Sequence, residues 1–355
     1  MAIPTEPIGS IPRPRALIEA ARAFQSGRIS QTELQSQYES AVQDTVGRLE
    51  ATGSPVVTDG EQGKESFVTY PISGLSNIAA NGIPILFADG HVRQFPRLTG
   101  GPFRYRIRAD AYLATAQRYA HVPVKQAVAS PSALSLLYPQ DGIPGYPRDE
   151  YFDQLLSEQE GEIKRCLDNG AHVVQIDFTE ARLSLRLDPT GRLLNSFIEL
   201  NNLLLERFSA AQRNRIGVHT CAGADRNSTH SRDVDYATLL PSLFELKARN
   251  FYVQVASEPD REYALKTICK FMKPDQRIFV GVINVVDPRI ETPDEVRDRV
   301  LQAAKYIPLE QLGTTDDCGF APFSDDMSRS RDTAFAKIRS RVAGTLLAAK
   351  VLGTG

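Results

Sequence analysis

His172-Val173-Val174-Gln175-Ile176-Asp177 and Arg215-Ile216-Gly217-Val218-His219-Thr220-Cys221 are the stretches that decide the fold. Each is a short run dense in β-branched residues that ends on a side chain able to do chemistry. Such runs suit strands buried on both faces of a parallel sheet. Comparable runs lie at 124–129, 251–256, 277–283 and 312–316, with fainter ones near 3–8 and 55–59. Between them, residues 149–168, 192–212, 234–248, 260–272, 292–305 and 328–350 carry apolar residues three and four apart, the spacing of a helix face. Two earlier helices are expected near 13–25 and 30–50. Asp149, Asp233 and Thr292 are candidate N-caps, and Pro293 suits a first helical position. Eight strand–helix units in 355 residues read as an α/β fold, a (β/α)₈ TIM barrel spanning residues 1–355 as one domain. The alternative is an open doubly wound sheet, but no Gly-x-Gly-x-x-Gly follows the first strand. Residues 60–110, rich in Gly and Pro, form a long insertion after the second strand that reads as a hairpin or lid, with a strand-like piece at 103–107.

Composition narrows the function classes. Apolar residues make up 42% and charged residues 24%, which excludes a disordered chain. Lys+Arg number 41 against 43 Asp+Glu, a net charge of −2, so nucleic acid is not an expected partner. No apolar run is long enough to span a membrane. The opening Met1-Ala2-Ile3-Pro4-Thr5-Glu6-Pro7 has no basic region followed by an apolar run, so the expected location is cytoplasmic. Cys166, Cys221, Cys269 and Cys318 are too few for a disulfide scaffold; in a reducing compartment they are free thiols or metal ligands.

In a barrel, functional side chains sit at the C-terminal ends of the strands. The polar residues there are Ser10 after the first strand, Asp59-Gly60-Glu61 after the second, Asp177 after the fourth and His219 with Cys221 after the fifth. Gln254 lies near the end of the sixth, Asn284 follows the seventh, and Asp316-Asp317-Cys318 the eighth. Alternation along a strand points His219 and Cys221 the same way. With Cys318 they form a His, Cys, Cys donor set that suits zinc and leaves one position for a fourth ligand or a substrate. Plainer readings stand beside these. Cys166 and Cys269 fall on helix-like stretches and read as core, and His172 reads as structural. His230 is either a proton donor to substrate or a solvated loop residue. Asp177 either meets a ligand or caps a helix, Glu61 either meets a ligand or is a solvated loop charge, and Asp316-Asp317 either supports the ligands or makes a turn.

Taken together, Ile8-Gly9-Ser10, Asp59-Gly60-Glu61, Val174-Gln175-Ile176-Asp177, His219-x-Cys221 and Asp317-Cys318-Gly319-Phe320 resemble the C-terminal barrel of cobalamin-independent methionine synthase and its single-barrel relatives. The resemblance runs from end to end. It implies that zinc, held by His219, Cys221 and Cys318, binds the acceptor thiol and turns it into a thiolate nucleophile. It also implies that Ser10, Glu61 and Asp177 hold the amino-acid part of homocysteine, and that a methylated folate donates the methyl group. Three departures stand out. The chain has no counterpart of the synthase's large N-terminal half. The family's zinc-binding Glu falls on Gln254, with Glu258 four residues on as another candidate fourth ligand. The Glu-Pro after the Asp becomes Phe178-Thr179. A His-x-Cys…Cys pattern without the Glu is similar to epoxyalkane:coenzyme M transferases, in which a zinc thiolate opens an epoxide.

The leading expectation is therefore a zinc-dependent thiol S-alkyltransferase that methylates a homocysteine-type aminothiol, with Asp177 and His230 as candidate catalytic residues. Its partners are a small-molecule thiol and an alkyl donor, and a homo-oligomer is compatible with the sequence. Epoxide opening by a coenzyme M-like thiol is the alternative within this chemistry. A sulfonate would want a basic partner, for which Arg13, Arg15 and Arg182 are candidates. A zinc-free barrel decarboxylase and a non-catalytic binding protein are the alternatives outside it.

Overall fold

Parallel strands form at each of the six dense β-branched runs. The computed structural model describes residues 3–354. Its main sheet holds β1 (Gln126–Ala129), β2 (Val174–Asp177), β3 (Ile216–Thr220), β4 (Asn250–Val253), β5 (Arg277–Ile283) and β6 (Leu312–Asp316), each beside its sequence neighbour and parallel to it. Two extended segments complete the ring. Thr5 bridges Thr314 in parallel, with Glu6 N donating to Thr314 O at 3.0 Å and Thr314 N to Pro4 O at 2.9 Å. On the other edge Val57 bridges Val124, and Lys125 N donates to Val57 O at 2.8 Å. The two segments then meet each other: Ile11 N donates to Gly60 O at 3.0 Å and Thr58 Oγ1 to Gly9 O at 2.9 Å. The eight staves thus close on themselves, as the barrel expectation requires. The first two pair so sparsely because Pro4, Pro7, Pro55 and Pro123 have no N–H to give the ladder.

Contacts between non-adjacent staves show what fills the interior. Lys125 beside β1 lies 3.2 Å from the ring centroid of Tyr252 on β4, and its Nζ reaches Pro7 O at 3.0 Å and Glu6 at 3.4 Å. The Tyr252 hydroxyl donates to Glu6 Oε2 at 2.5 Å, and its ring stacks on Phe279 of β5 at 4.6 Å. Two large rings fit side by side because the flanking strands carry glycine. A Cβ on Gly217 would come within 2.6 Å of Tyr252, and one on Gly313 within 2.5 Å of Phe279.

Outside the ring, helices follow the predicted spans with local differences. The 192–212 stretch divides into Arg192–Leu205 and Ala210–Arg213, because Phe208 turns into the core and Ser209 caps a new turn with Gln212. Thr292 caps Pro293–Ala303 through a capping box with Glu295. Asp149 lies inside the first turn of Arg148–Asp168 instead of capping it, and Asp235, not Asp233, caps Tyr236–Leu243. Cys166 is buried, whereas Cys269 is exposed on the outer face of Arg261–Phe271, a correction to its core reading. The 60–110 segment carries two short antiparallel ladders, Ile78–Ala79 with Arg97–Leu98 and Pro84–Leu86 with Val92–Gln94. Residues 103–107 form no strand, since Phe103 and Tyr105 pack as isolated rings among Tyr138, Tyr146 and Tyr151. No helix among the described residues is long and apolar enough to cross a membrane.

Two outcomes follow from the packed interior. Gly217→Ala forces Tyr252 to move and should lower stability by about 1–3 kcal/mol, read from the denaturant midpoint; an unchanged midpoint would show that the ring relocates freely. Burial alone would raise the Glu6 carboxyl, but Lys125, His172 and Tyr252 together bring it down to about 2 from 4.5. A depressed carboxylate contributes stability above its unfolded pKa and loses it as pH falls through the folded one. The fall in stability between pH 4.5 and about 2 should accordingly be shallower in Glu6→Gln than in the wild type.

Candidate metal centre

Strand alternation points His219 of β3 and Cys221, just past its end, the same way, and Cys318 lies two residues beyond the end of β6. One ligand atom from each of the three lies within 4.8 Å of the others, and all three residues are buried. The Tyr252 carbonyl lies 3.2 Å from His219 Nδ1, so that nitrogen carries the proton. The other nitrogen, Nε2, is buried and without a protein partner, and in the neutral ring it presents a bare lone pair. Cys221 Sγ lies 3.1 Å from Cys318 Sγ, and both thiols are free. The hydrogen bond between them pushes Cys221 well above the ordinary thiol range and holds Cys318 well below it. An orphaned imidazole nitrogen facing two sulfurs, one of them ready to ionise, is a donor set that fits zinc.

The Cys318 turn is held from two sides. Ser10 accepts Phe320 N at its carbonyl, 2.9 Å, and Ala321 N at its hydroxyl, 3.2 Å. A Cβ on Gly319 would strike Ser10 Oγ, so this close approach needs glycine. Asp317 takes the backbone N–H groups of Val255, Ala256 and Ser257 at 3.0, 2.9 and 2.7 Å, although burial pushes its carboxyl up to about 6. Asp316 points away and pairs with buried Arg341 at 2.5 Å.

A cavity of about 500 Å³ opens beside the centre, and Ser10, Glu61, Asp177, His219, His230 and Cys318 all line it. Asp177 sits in register with His219 on the neighbouring strand and accepts Gln175 Nε2 at 2.7 Å; burial pushes its carboxyl up to about 7. Glu61 is buried, not solvated, and adopts a left-handed φ of 55° that a non-glycine residue holds only under constraint. Arg13 supplies that constraint by donating to the Glu61 carbonyl at 2.6 Å. Burial raises the Glu61 carboxyl, and Lys64 at 3.2 Å opposes that rise. His230 is buried as well, which corrects the solvated-loop reading. Its ring meets Phe87 edge-on at 5.4 Å, and burial, with Arg186 and Arg182, lowers it to about 4.

The structure does not bring Gln254 or Glu258 into the donor group. Gln254 Oε1 accepts Ala222 N at 2.8 Å while its Nε2 donates to Glu258 at 2.6 Å, and Glu258 is paired with Arg182 at 2.8 Å. The other two arginines considered for an anion are also engaged. Arg13 donates to the carbonyls of Ala321, Glu61 and Lys64, and exposed Arg15 pairs with Glu19. Sequence reasoning missed Lys64, whose signal was its place three residues after Glu61. It also missed Glu180 on the cavity wall. Burial pushes Glu180 up to about 7; Ser130 donates to its Oε1 at 2.6 Å, and its Oε2 has no partner. Phe87, Val92, Arg93 and Phe95 from the insertion line the same cavity, and nothing in a Gly- and Pro-rich stretch marked them.

The family model described as the catalytic domain of cobalamin-independent synthase matches residues 3–343. The chain belongs to this family. Among relatives of this synthase-family protein, a methionine synthase of Sulfurisphaera tokodaii is 24% identical over 343 residues, covering 97% of this chain and 91% of its own. One from Sulfolobus acidocaldarius is 26% identical over 348 residues, covering 97% and 92%. Two solved structures share the synthase fold. A B12-independent methionine synthase from Shewanella sp. W3-18-1 in complex with selenomethionine has a TM-score of 0.77 at 18% identity, with 100% of both chains covered. A putative vitamin-B12 independent methionine synthase from Listeria monocytogenes has a TM-score of 0.71 at 19% identity, with 98% of both covered.

Lys64 offers a direct test of the buried charges around this synthase-family site. Lys64→Met leaves Glu61 buried without its cation and should cost about 3–5 kcal/mol of stability at pH 8. The loss should shrink as pH falls through the titration of the raised carboxyl, because its protonated form needs no partner. Equal denaturant midpoints for variant and wild type at pH 8 would show that the pair contributes nothing.

Proposed function

We propose that this protein is a zinc-dependent transferase that methylates a thiol acceptor bearing an amino group, of the homocysteine kind. One observation carries the reading: buried His219 Nε2, with no protein partner, faces the Cys221 and Cys318 sulfurs beside a cavity that also presents the Asp177 and Glu61 carboxylates. Bound by these three residues, zinc would keep a coordinated thiol deprotonated yet nucleophilic at neutral pH. The remaining work falls to the protein's own side chains.

Asp177 and Glu61 are the proposed partners of the ligand's ammonium group. Both carboxyls are raised by burial, so an arriving cation stabilises their charged forms and is held in return. Ser10 fixes the Cys318 turn and lines the acceptor's side of the cavity. His230 stays uncharged at neutral pH and offers the substrates a hydrogen bond without repelling a cation. The selenomethionine in the Shewanella structure is itself an amino acid methylated on its chalcogen, which supports the acceptor class. A sulfonate-bearing thiol finds less support, because Arg93, the arginine on the cavity wall, is already paired with Asp225 at 2.6 Å and Asp325 at 2.8 Å. A zinc-free decarboxylase or a scaffold would have no use for the imidazole and two thiols.

Metal analysis of purified protein should find zinc in the wild type and little in Cys221→Ser or Cys318→Ser, with methyl transfer from 5-methyltetrahydrofolate to homocysteine abolished in both. Full metal content in both variants would overturn the reading. Asp177→Asn should keep its zinc while homocysteine binds about tenfold or more weakly in calorimetry; unchanged affinity would remove Asp177 from the acceptor site.

A further inference from the structure

Position 254 is where the resemblance places the family's zinc-binding glutamate. The side chain there is an amide, and its two ends are fully used. An N–H can only donate, so the amide atom 2.8 Å from Ala222 N is the oxygen. A carboxylate can only accept, so the atom 2.6 Å from Glu258 Oε1 is the nitrogen. Neither glutamate nor any other acidic side chain could make both bonds in its ionised form. Glu258 Oε1 in turn receives Arg182 Nη1 at 2.8 Å, and all three side chains are buried. Arg182 extends the chain of contacts to the carbonyls of Arg232 and Val234, each at 3.0 Å, in the segment that follows His230.

The first link grips the ligand loop itself. Ala222 directly follows Cys221, and the next N–H, that of Gly223, donates to Cys221 Sγ at 3.3 Å. Ala222 O also accepts His230 N at 3.1 Å and Ser231 N at 3.2 Å. Ala222 is therefore clamped at both ends, by Gln254 on its nitrogen and by the His230 segment on its oxygen. Arg182 ties those two clamps together. On the far side, Asp317 gathers the N–H groups of residues 255–257 and so fixes the strand end carrying Gln254 to the turn carrying Cys318.

We infer that Gln254, Glu258 and Arg182 form a latch that positions Cys221 for the metal, and that Gln254 is a positioning residue and not a fourth ligand. The inference rests on the zinc reading above. It leaves the metal with three protein donors, His219, Cys221 and Cys318, and a coordination position free for the substrate thiol. Partners of this kind typically change metal affinity about tenfold to a hundredfold when removed.

The latch and a ligand role predict opposite signs for one substitution. If position 254 faced the metal, Gln254→Glu would supply the family's carboxylate and tighten zinc binding. With the latch, Gln254→Glu sets two buried carboxylates together, breaks the bond to Glu258 and loosens Ala222. Zinc affinity, measured by competition with a chromophoric chelator, should fall about tenfold or more. The cobalt-substituted protein should show weaker sulfur-to-metal charge-transfer absorption. The exchange Gln254→Glu with Glu258→Gln restores a carboxylate on Ala222 N and an amide donor opposite it. It should recover most of the affinity and the wild-type cobalt spectrum, even where the single variant folds poorly. Tighter or unchanged zinc binding in Gln254→Glu overturns the latch, as does a double variant no better than the single. A wild-type protein that binds no zinc overturns the zinc reading itself, and the latch with it.

Discussion

The parallel register across β3, β4, β5 and β6 is the constraint on which the candidate metal centre depends. His219 is level with Tyr252, Tyr252 with Phe279, and Phe279 with Gly313. That common height brings the end of β3 and the end of β6 to the same rim although two strands separate them. Nothing local to Cys318 would carry it to Cys221. The ladder sets the height, and Ser10 and Asp317 then draw the turn inward by accepting its own and its neighbour's backbone N–H groups. Barrel closure matters for the same reason: Ser10 can hold the Cys318 turn only because the first stave pairs with β6 through Thr5 and Thr314.

Around that centre the protein buries more charge than a structural core has reason to. Glu61, Asp177 and Glu180 all line one cavity, and burial raises the carboxyl of each. Burying carboxylates without compensation is costly. The compensation visible in the fold is partial: Lys64 for Glu61, one amide for Asp177, serine hydroxyls for Glu180. A cationic group arriving there would supply what the protein leaves out. The lower interior contrasts with it. There Glu6, Lys125 and Tyr252 satisfy one another, and the Glu6 carboxyl falls instead of rising. The same residue types thus stabilise the barrel at one end and are left receptive at the other.

The sequence carried much of this in plain view, and its failures are instructive. Six strands were legible because Val and Ile runs buried on both faces look like nothing else of that length. The first two staves were faint because their prolines suppress the pattern. His219 and Cys221 were readable as a pair because two residues along a strand share a face. Glu61 and His230 were easy to mistake for solvated loop residues, since burial of a loop depends on what folds over it. Helix caps were misplaced by two residues at Asp149 and Asp233, where a nearby proline or second aspartate offers a competing start.

The sequence by itself determined the alternation of strand and helix, and with it the rim on which the reactive residue types would gather. Hydrophobic periodicity is a local property, so it survives in one dimension. Only the tertiary structure decided which of those residues meet. The nearness of Cys318 to Cys221, the bond of Tyr252 to Glu6 and the hold of Gln254 on Ala222 N join residues far apart in the chain. Each depends on barrel closure and register, which no local stretch of sequence encodes.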